Sequence, residues 1–433
     1  MPMKKNKPHL APSFVMLDNA AKIYPAARTR GWMPMFRISL TFKEVIDKEL
    51  MQQALDDTLK RLPLFSYRLK RGLFWYYLES QEAKPRVEED ARNPMLPFNL
   101  AGETRFMFRL RVHKRRVALE VFHALTDGYG ASTFLMTLAA RYLSLRDGAK
   151  IPPGGLIKCV QEQPQKTDWE DSFPKNAGKF TRARKEDSAW QLSGTRTEQG
   201  FLRVITGVIP SDKLLLLARE KKTTVNTLLA AVLLLSLLTV RKGSRRRKNK
   251  PVKLSLPVNL RKYYDSTTLR NFSFYVNVPV YPGMDLYSVD KLIPYVGHYM
   301  GLETMESQLN ARFTANVRAE QNFFLRLAPL FLKTLVLKLM YKATGERYVT
   351  STLTNLGRVD FPPEMEARVE RMNLLLGPAQ KTPLGVAVIS ACGNTSISFS
   401  KTIKESEVER VFFTTLIELG IPVLIESNEP DGD

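Results

Sequence analysis

Hydrophobic and polar positions alternate through MFRISLTF (35–42), which predicts a strand, and recur at helical spacing through VIDKELMQQALDDTLKRL (45–62) until Pro63 ends the helix. LFSYRLKRGLFWYYLE (64–79) reads as two strands around a turn at Arg71-Gly72. RFMFRLRVHK (105–114) alternates with Phe106, Phe108, Leu110 and Val112 on one side, and RRVALEVFHA (115–124) is its expected hairpin partner. A helix is expected from about Gly130 to Leu145. From about 147 to 200 no period is sustained, which predicts a long connection.

The pattern restarts with a strand at FLRVITGVI (201–209), followed by a helix with Ser211 as its N-cap candidate and another capped by Thr223 or Thr224. Leu228 to Val240 is the longest apolar run; a bilayer needs about 20 residues, so a buried core helix is expected. VKLSLPVNL (252–260) and NFSFYVNVPVY (271–281) are strand-like, and 287–343 is mostly helical with breaks near Gly301, Ala311 and Pro329. Then come strand-like VTSTLTNLG (349–357), RVERMNLLLG (368–377), a hairpin in 385–403 turning at Gly393-Asn394, and a closing helix at 405–420. Strands and helices occur in each half without strict βαβ alternation. The expected fold class is therefore α/β (α+β), with two mixed-sheet lobes of similar size. The lobes are placed at 1–175 and 201–433, with a linker at 176–200.

The 433 residues carry 65 Lys+Arg against 43 Asp+Glu, a net charge of +22, which points to anionic partners. The densest cationic run is RKGSRRRKNK (241–250), which contains Arg245, Arg246, Arg247 and Lys248. It has no interleaved aromatics to stack on bases, so nucleic-acid binding is not expected. FFLRLAPLFLKTLVLKLMYK (323–342) fits either a basic helix on a membrane surface or a core helix with snorkelling lysines. Two cysteines, Cys159 and Cys392, cannot build a disulfide framework, and the N-terminus lacks the apolar core of a signal peptide. A cytoplasmic monomer is expected, with the 323–342 stretch as a candidate peripheral membrane contact.

Chemistry concentrates in RRVALEVFHALTDGYGASTFLMTLAARYL (115–143). A strand ends at His123, a tight polar segment follows, and a helix begins, which is a rigid setting for a loop-borne site. Histidine can move protons near neutrality, and Asp127 can fold back beside it. The same spacing also fits a surface turn with an incidental histidine. No metal site is expected: the four histidines are scattered, and no H-E-x-x-H or paired C-x-x-C occurs. P-loop and G-x-S-x-G signatures are absent as well.

With H-x-x-x-D-G at His123–Gly128, NTLLAAVLLLSL (226–237), PVNLR (257–261) followed by NFSFYV (271–276), and STLTNLG (351–357), the chain resembles the chloramphenicol acetyltransferase-like superfamily. That group includes alcohol acetyltransferases, plant BAHD acyltransferases and nonribosomal-peptide condensation domains; the bacterial alcohol acetyltransferase branch looks nearest. The resemblance implies acyl transfer from a thioester to a hydroxyl or amine, in a tunnel between the lobes. It makes His123 the general base and has Asp127 hold the loop by pairing with an arginine, for which Arg261 is the candidate. It has Gly128 leave room for substrate, and puts Asn271, Ser351, Thr352 and Asn355 among structural or oxyanion candidates. Phe122 stands where condensation domains carry a first histidine, and the plant D-F-G-W-G is absent.

The implied donor is acyl-CoA as a co-substrate, with no tightly bound cofactor, and the acceptor is a small alcohol or amine. Arg245, Arg246, Arg247 and Lys248 are candidates for attracting the donor's phosphates. A carrier protein's phosphopantetheine is the alternative donor. The non-enzymatic alternative is a lipid- or partner-binding module that contacts a membrane through 323–342.

Overall fold

The computed structural model describes residues 11–29, 32–98, 100, 106–182, 186–243, 249–340, 346–377, 379 and 381–429. One sheet contains β2 (Met35–Phe42), β5 (Val87–Glu89), β6 (Phe108–His113), β7 (Arg116–Phe122) and β12 (Val369–Leu376), in the order β12-β2-β7-β6-β5. A larger sheet contains β8 (Arg203–Pro210), β9 (Val252–Asn259), β10 (Ser273–Val280), β11 (Ser351–Arg358), β13 (Leu384–Ala391), β14 (Asn394–Lys401) and β15 (Leu424–Ser427). Its order is β10-β9-β11-β13-β14-β8-β15, with β11 parallel to β9 and to β13. A small sheet, β1-β4-β3, is built from Phe14–Met16, Tyr76–Glu79 and Arg68–Arg71.

Strand β2 occupies the residues its alternation predicts. Phe36, Ile38, Leu40 and Phe42 enter the first core, which helices Lys48–Arg61 and Gly128–Asp147 cover. Helix Lys48–Arg61 starts where the Asp47 carboxylate accepts the Glu49 and Leu50 backbone N–H groups at 2.9 and 3.0 Å. Helix Gly128–Asp147 is apolar nearly all round and is correspondingly buried. The second core centres on helix Val225–Gly243. That helix is long and apolar enough to cross a membrane by composition, but Leu228 to Leu234 are fully buried inside the protein.

One strand crosses the division expected from the sequence. β12 lies far along the chain, yet it pairs antiparallel with β2 and completes the first sheet. Its neighbour β13 sends Ala387, Ile389 and Ala391 into the first core and Val386 and Val388 into the second. Within the expected linker, Trp190 is buried in the second core, and its N–H donates to Pro251 O at 2.8 Å. Between the sheets, the other face of β2 (Arg37, Ser39, Thr41) meets Arg371 of β12 and Thr206 of β8 around a cavity of about 430 Å³.

Other local differences have simple causes. Ser211 is the first helical residue, and its hydroxyl bonds the Thr395 hydroxyl at 2.8 Å instead of capping. The late hairpin turns at Cys392-Gly393, one residue earlier than expected, with φ of +50° and +77°. Ala311 lies inside helix Glu306–Gln321; the breaks fall at Thr304–Met305, Asn322 and Ala328–Pro329. Strand β15 was not anticipated. Helix Leu330–Met340 is not a core helix with snorkelling lysines: it buries Lys333 and exposes Phe331, Leu335 and Leu339.

Candidate functional site

His123 follows the last residue of β7, where its N–H donates to Pro34 O at 2.9 Å. Its half-buried imidazole stacks on Tyr24 (centroids 4.8 Å apart, planes at 28°) and meets the edge of Phe36 at 5.1 Å. Nδ1 lies 2.9 Å from Asn271 Oδ1. The amide's orientation follows from its other end, where Asn271 Nδ2 donates to Asp18 Oδ2 at 3.2 Å. An amide oxygen can only accept, so Nδ1 carries the proton and the lone pair is on Nε2. Nε2 has no hydrogen-bond partner among the described residues.

Asp18 anchors this relay. Its carboxylate also accepts the Ala21 N–H at 2.7 Å and stands 3.5 Å from Arg270 Nε. Complete burial raises the Asp18 carboxyl above its ordinary value, against the opposing pull of Arg270 and Asn271. Nearby Asp171 is pushed up to about 6 by burial and by the Asp18 charge. Burial and the carboxylates of Asp18 and Asp127 raise the Tyr24 hydroxyl too, so the ring against the imidazole stays a neutral phenol.

Asp127 faces away from the imidazole's relay and ties the two halves together. Oδ1 accepts the Tyr129 and Gly130 N–H groups at 3.1 and 3.2 Å, capping helix Gly128–Asp147. Oδ2 accepts Arg261 Nη1 at 2.7 Å and the Phe272 N–H at 2.9 Å. Arg261 also donates to the Thr268 and Arg270 carbonyls and lies over the Tyr129 ring at 4.5 Å. The contact therefore fixes the loop before β10, and with it Asn271.

The 430 Å³ space lies on the opposite face of β2 from Phe36, and His123 does not line it. No family model matches the chain, and no curated protein matches it in sequence. Solved structures do match. The first condensation domain of the calcium-dependent antibiotic synthetase, with a bound substrate analogue, superposes with a TM-score of 0.58 at 17% identity, covering 95% of this chain and 99% of that one. A trichothecene 15-O-acetyltransferase from Fusarium sporotrichioides gives 0.58 at 13% identity over 94% of each chain. TRI101 of the same fungus, complexed with coenzyme A and T-2, gives 0.57 at 12% identity over 94% and 99%. The chain shares its fold with these condensation domains and acetyltransferases.

On this fold, the residues singled out from the sequence separate into three groups. His123, Asp127, Gly128, Arg261 and Asn271 come together. Ser351 and Asn355 do not join the His123 relay: the Ser351 hydroxyl donates to Leu384 O at 3.0 Å, and Asn355 Oδ1 accepts the Gly357 N–H at 2.8 Å. Their strand reaches the motif through Leu356 instead. A Cβ on Gly128 would stand 2.5 Å from a Leu356 methyl, so the space the glycine leaves is filled by protein. Arg245, Arg246, Arg247 and Lys248 lie outside the described residues. Among the described residues, no group of three or more metal-binding side chains occurs. Sequence reasoning missed Asp18, Tyr24 and Arg270, which carry no spacing signal and reach His123 only through folding.

Proposed function

We propose that this chain is an acyltransferase that moves an acyl group from a thioester, acyl-CoA in the first instance, to a hydroxyl or amine, with His123 as general base. The observation that carries this reading is the hydrogen bond between Nδ1 and Asn271 Oδ1, backed by Asp18, because it leaves the basic lone pair on Nε2. Nε2 takes the acceptor's proton while the acceptor oxygen or nitrogen attacks the thioester carbonyl. The tetrahedral adduct then collapses, its C–S bond breaks, and the departing thiolate takes the proton from the imidazolium. The products are an ester or amide and a free thiol. Asn271 and the carboxylate behind it stabilise the imidazolium while it exists. Superfamily resemblance, the fold, and neighbours named as an acetyltransferase and as a complex with coenzyme A support the reading.

The test is thiol release from acyl-CoA with a panel of alcohols and amines. His123→Ala is expected to lower turnover by about 10²–10⁴-fold in a protein that remains folded. Retention of most activity by that variant would refute the mechanism. Asn271→Leu is expected to lower kcat with little change in donor KM, since it removes the tautomer's anchor and not a donor contact. If free acyl-CoA fails while an acylated carrier protein serves, the donor assignment changes and the His123 role stands. Reversing the charges of Arg245 to Lys248 is expected to raise donor KM and leave saturated turnover unchanged.

A further inference from the structure

Helix Leu330–Met340 has its polarity inside out. Among its described side chains, the buried ones are Leu330 and Lys333, the latter only 5% exposed. Lys333 Nζ donates to Phe74 O at 3.0 Å and Arg326 O at 3.1 Å, and sits 3.9 Å from the Trp75 ring centroid. Burial lowers its pKa from the ordinary lysine value. With the lysine turned inward, most of the leucines and phenylalanines of 323–339 point out. Phe323, Phe324, Leu327, Phe331, Leu335 and Leu339 are all more than half exposed, with Phe324 at 82%. Leu73, equally bare, adjoins them where its carbonyl accepts the Leu330 N–H at 2.8 Å. A soluble surface rarely leaves such a contiguous apolar face uncovered.

The charges around this face select what covers it. Residues 323–340 contain no Asp or Glu, and their exposed cations are Arg326 and Lys338, on a chain of net charge +22. A second copy docking here would bring like charges together, whereas an anionic lipid surface offers acyl chains to the apolar side chains and headgroups to the cations. We infer that the protein docks on an anionic bilayer surface through the apolar face of 323–340.

The location gives the docking a consequence for chemistry, one that rests on the acyltransferase reading. Helix Leu330–Met340 packs on helix Ile23–Ala27, which carries Tyr24 against the imidazole. Asn19 Nδ2 donates to Glu320 Oε2 at 2.8 Å, and Lys22 pairs with the same carboxylate. The lipid-facing element is thus fastened to the segment that supplies Asp18 and Tyr24. An acceptor dissolved in the bilayer, a long-chain alcohol or a lipid bearing a free hydroxyl or amine, would arrive beside the base without crossing water.

The test is co-sedimentation of the full chain with vesicles of phosphatidylcholine alone and of phosphatidylcholine containing phosphatidylserine. Binding is expected only to the anionic vesicles, and to weaken by about tenfold on raising the salt from about 0.1 to 0.5 M. The triple substitution Phe324→Asp, Phe331→Asp and Leu335→Asp is expected to weaken vesicle binding at least about tenfold while leaving turnover of a short water-soluble acceptor unchanged. Its positions are solvent-exposed, so the fold should survive, as circular dichroism would verify. Failure of the wild-type protein to bind anionic vesicles overturns the inference. So does a solution mass, by light scattering, that falls from dimer to monomer in the triple variant, because the face would then be a self-interface. His123→Ala is expected to bind vesicles as wild type. Docking and catalysis therefore fail or hold separately.

Discussion

At Gly130 an added Cβ would stand 2.2 Å from the Leu269 carbonyl oxygen and 2.1 Å from Thr126 Oγ1, whereas at Gly128 it would meet only a leucine methyl. A methyl can swing to another rotamer; a backbone carbonyl held by the Thr126 hydroxyl cannot. Gly130→Ala is therefore expected to cost about 3 kcal/mol and Gly128→Ala about 1 kcal/mol or less, measured as shifts in the urea midpoint. Equal shifts would contradict the geometry. Asp127→Asn leaves the buried Arg261 guanidinium without a charge partner and is expected to cost about 3 kcal/mol, read in the same urea titration. Residues 123, 127 and 261 could be picked out from the sequence because a short spacing and a family-like motif mark them. Asp18 could not, since 253 residues separate it from the Asn271 amide it orients.

Among the elements, the edge of the first sheet carries a testable charge cluster. Burial alone would raise the Asp90 carboxyl, but Arg37 and Arg116 outweigh it and hold it down at about 2. In the unfolded chain the same group titrates near its ordinary value of about 3.9. Because the folded value is the lower one, the stabilisation is fully present above about pH 4 and disappears as the pH falls through 2. It amounts to about 2–3 kcal/mol. Unfolding free energies measured from pH 5 down to pH 2 should drop by that amount in the wild type and by much less in Asp90→Asn. Periodicity located β2, β9 and the helix Lys48–Arg61 because each has a polar and an apolar side to display. It leaves 323–340 open between a surface helix and a core helix, because the side that faces inward is chosen by tertiary partners, here the Phe74 carbonyl and the Trp75 ring.

For the molecule as a whole, strands and helices in each half, and with them a mixed α/β fold, are legible in the sequence. The crossing of β12 is not. RVERMNLLLG shows that a strand exists, but nothing in its own pattern says that its partner is β2, more than 300 residues earlier by the pairing of Met372 with Leu40. That loan of one strand has a mechanical side. The halves are stitched, so prising them apart would have to break the ladder between β12 and β2. Severed between the sheets and expressed alone, residues 11–200 would bare the flank of β2 that β12 covers, and that fragment should precipitate, while supplying both fragments together should rescue solubility.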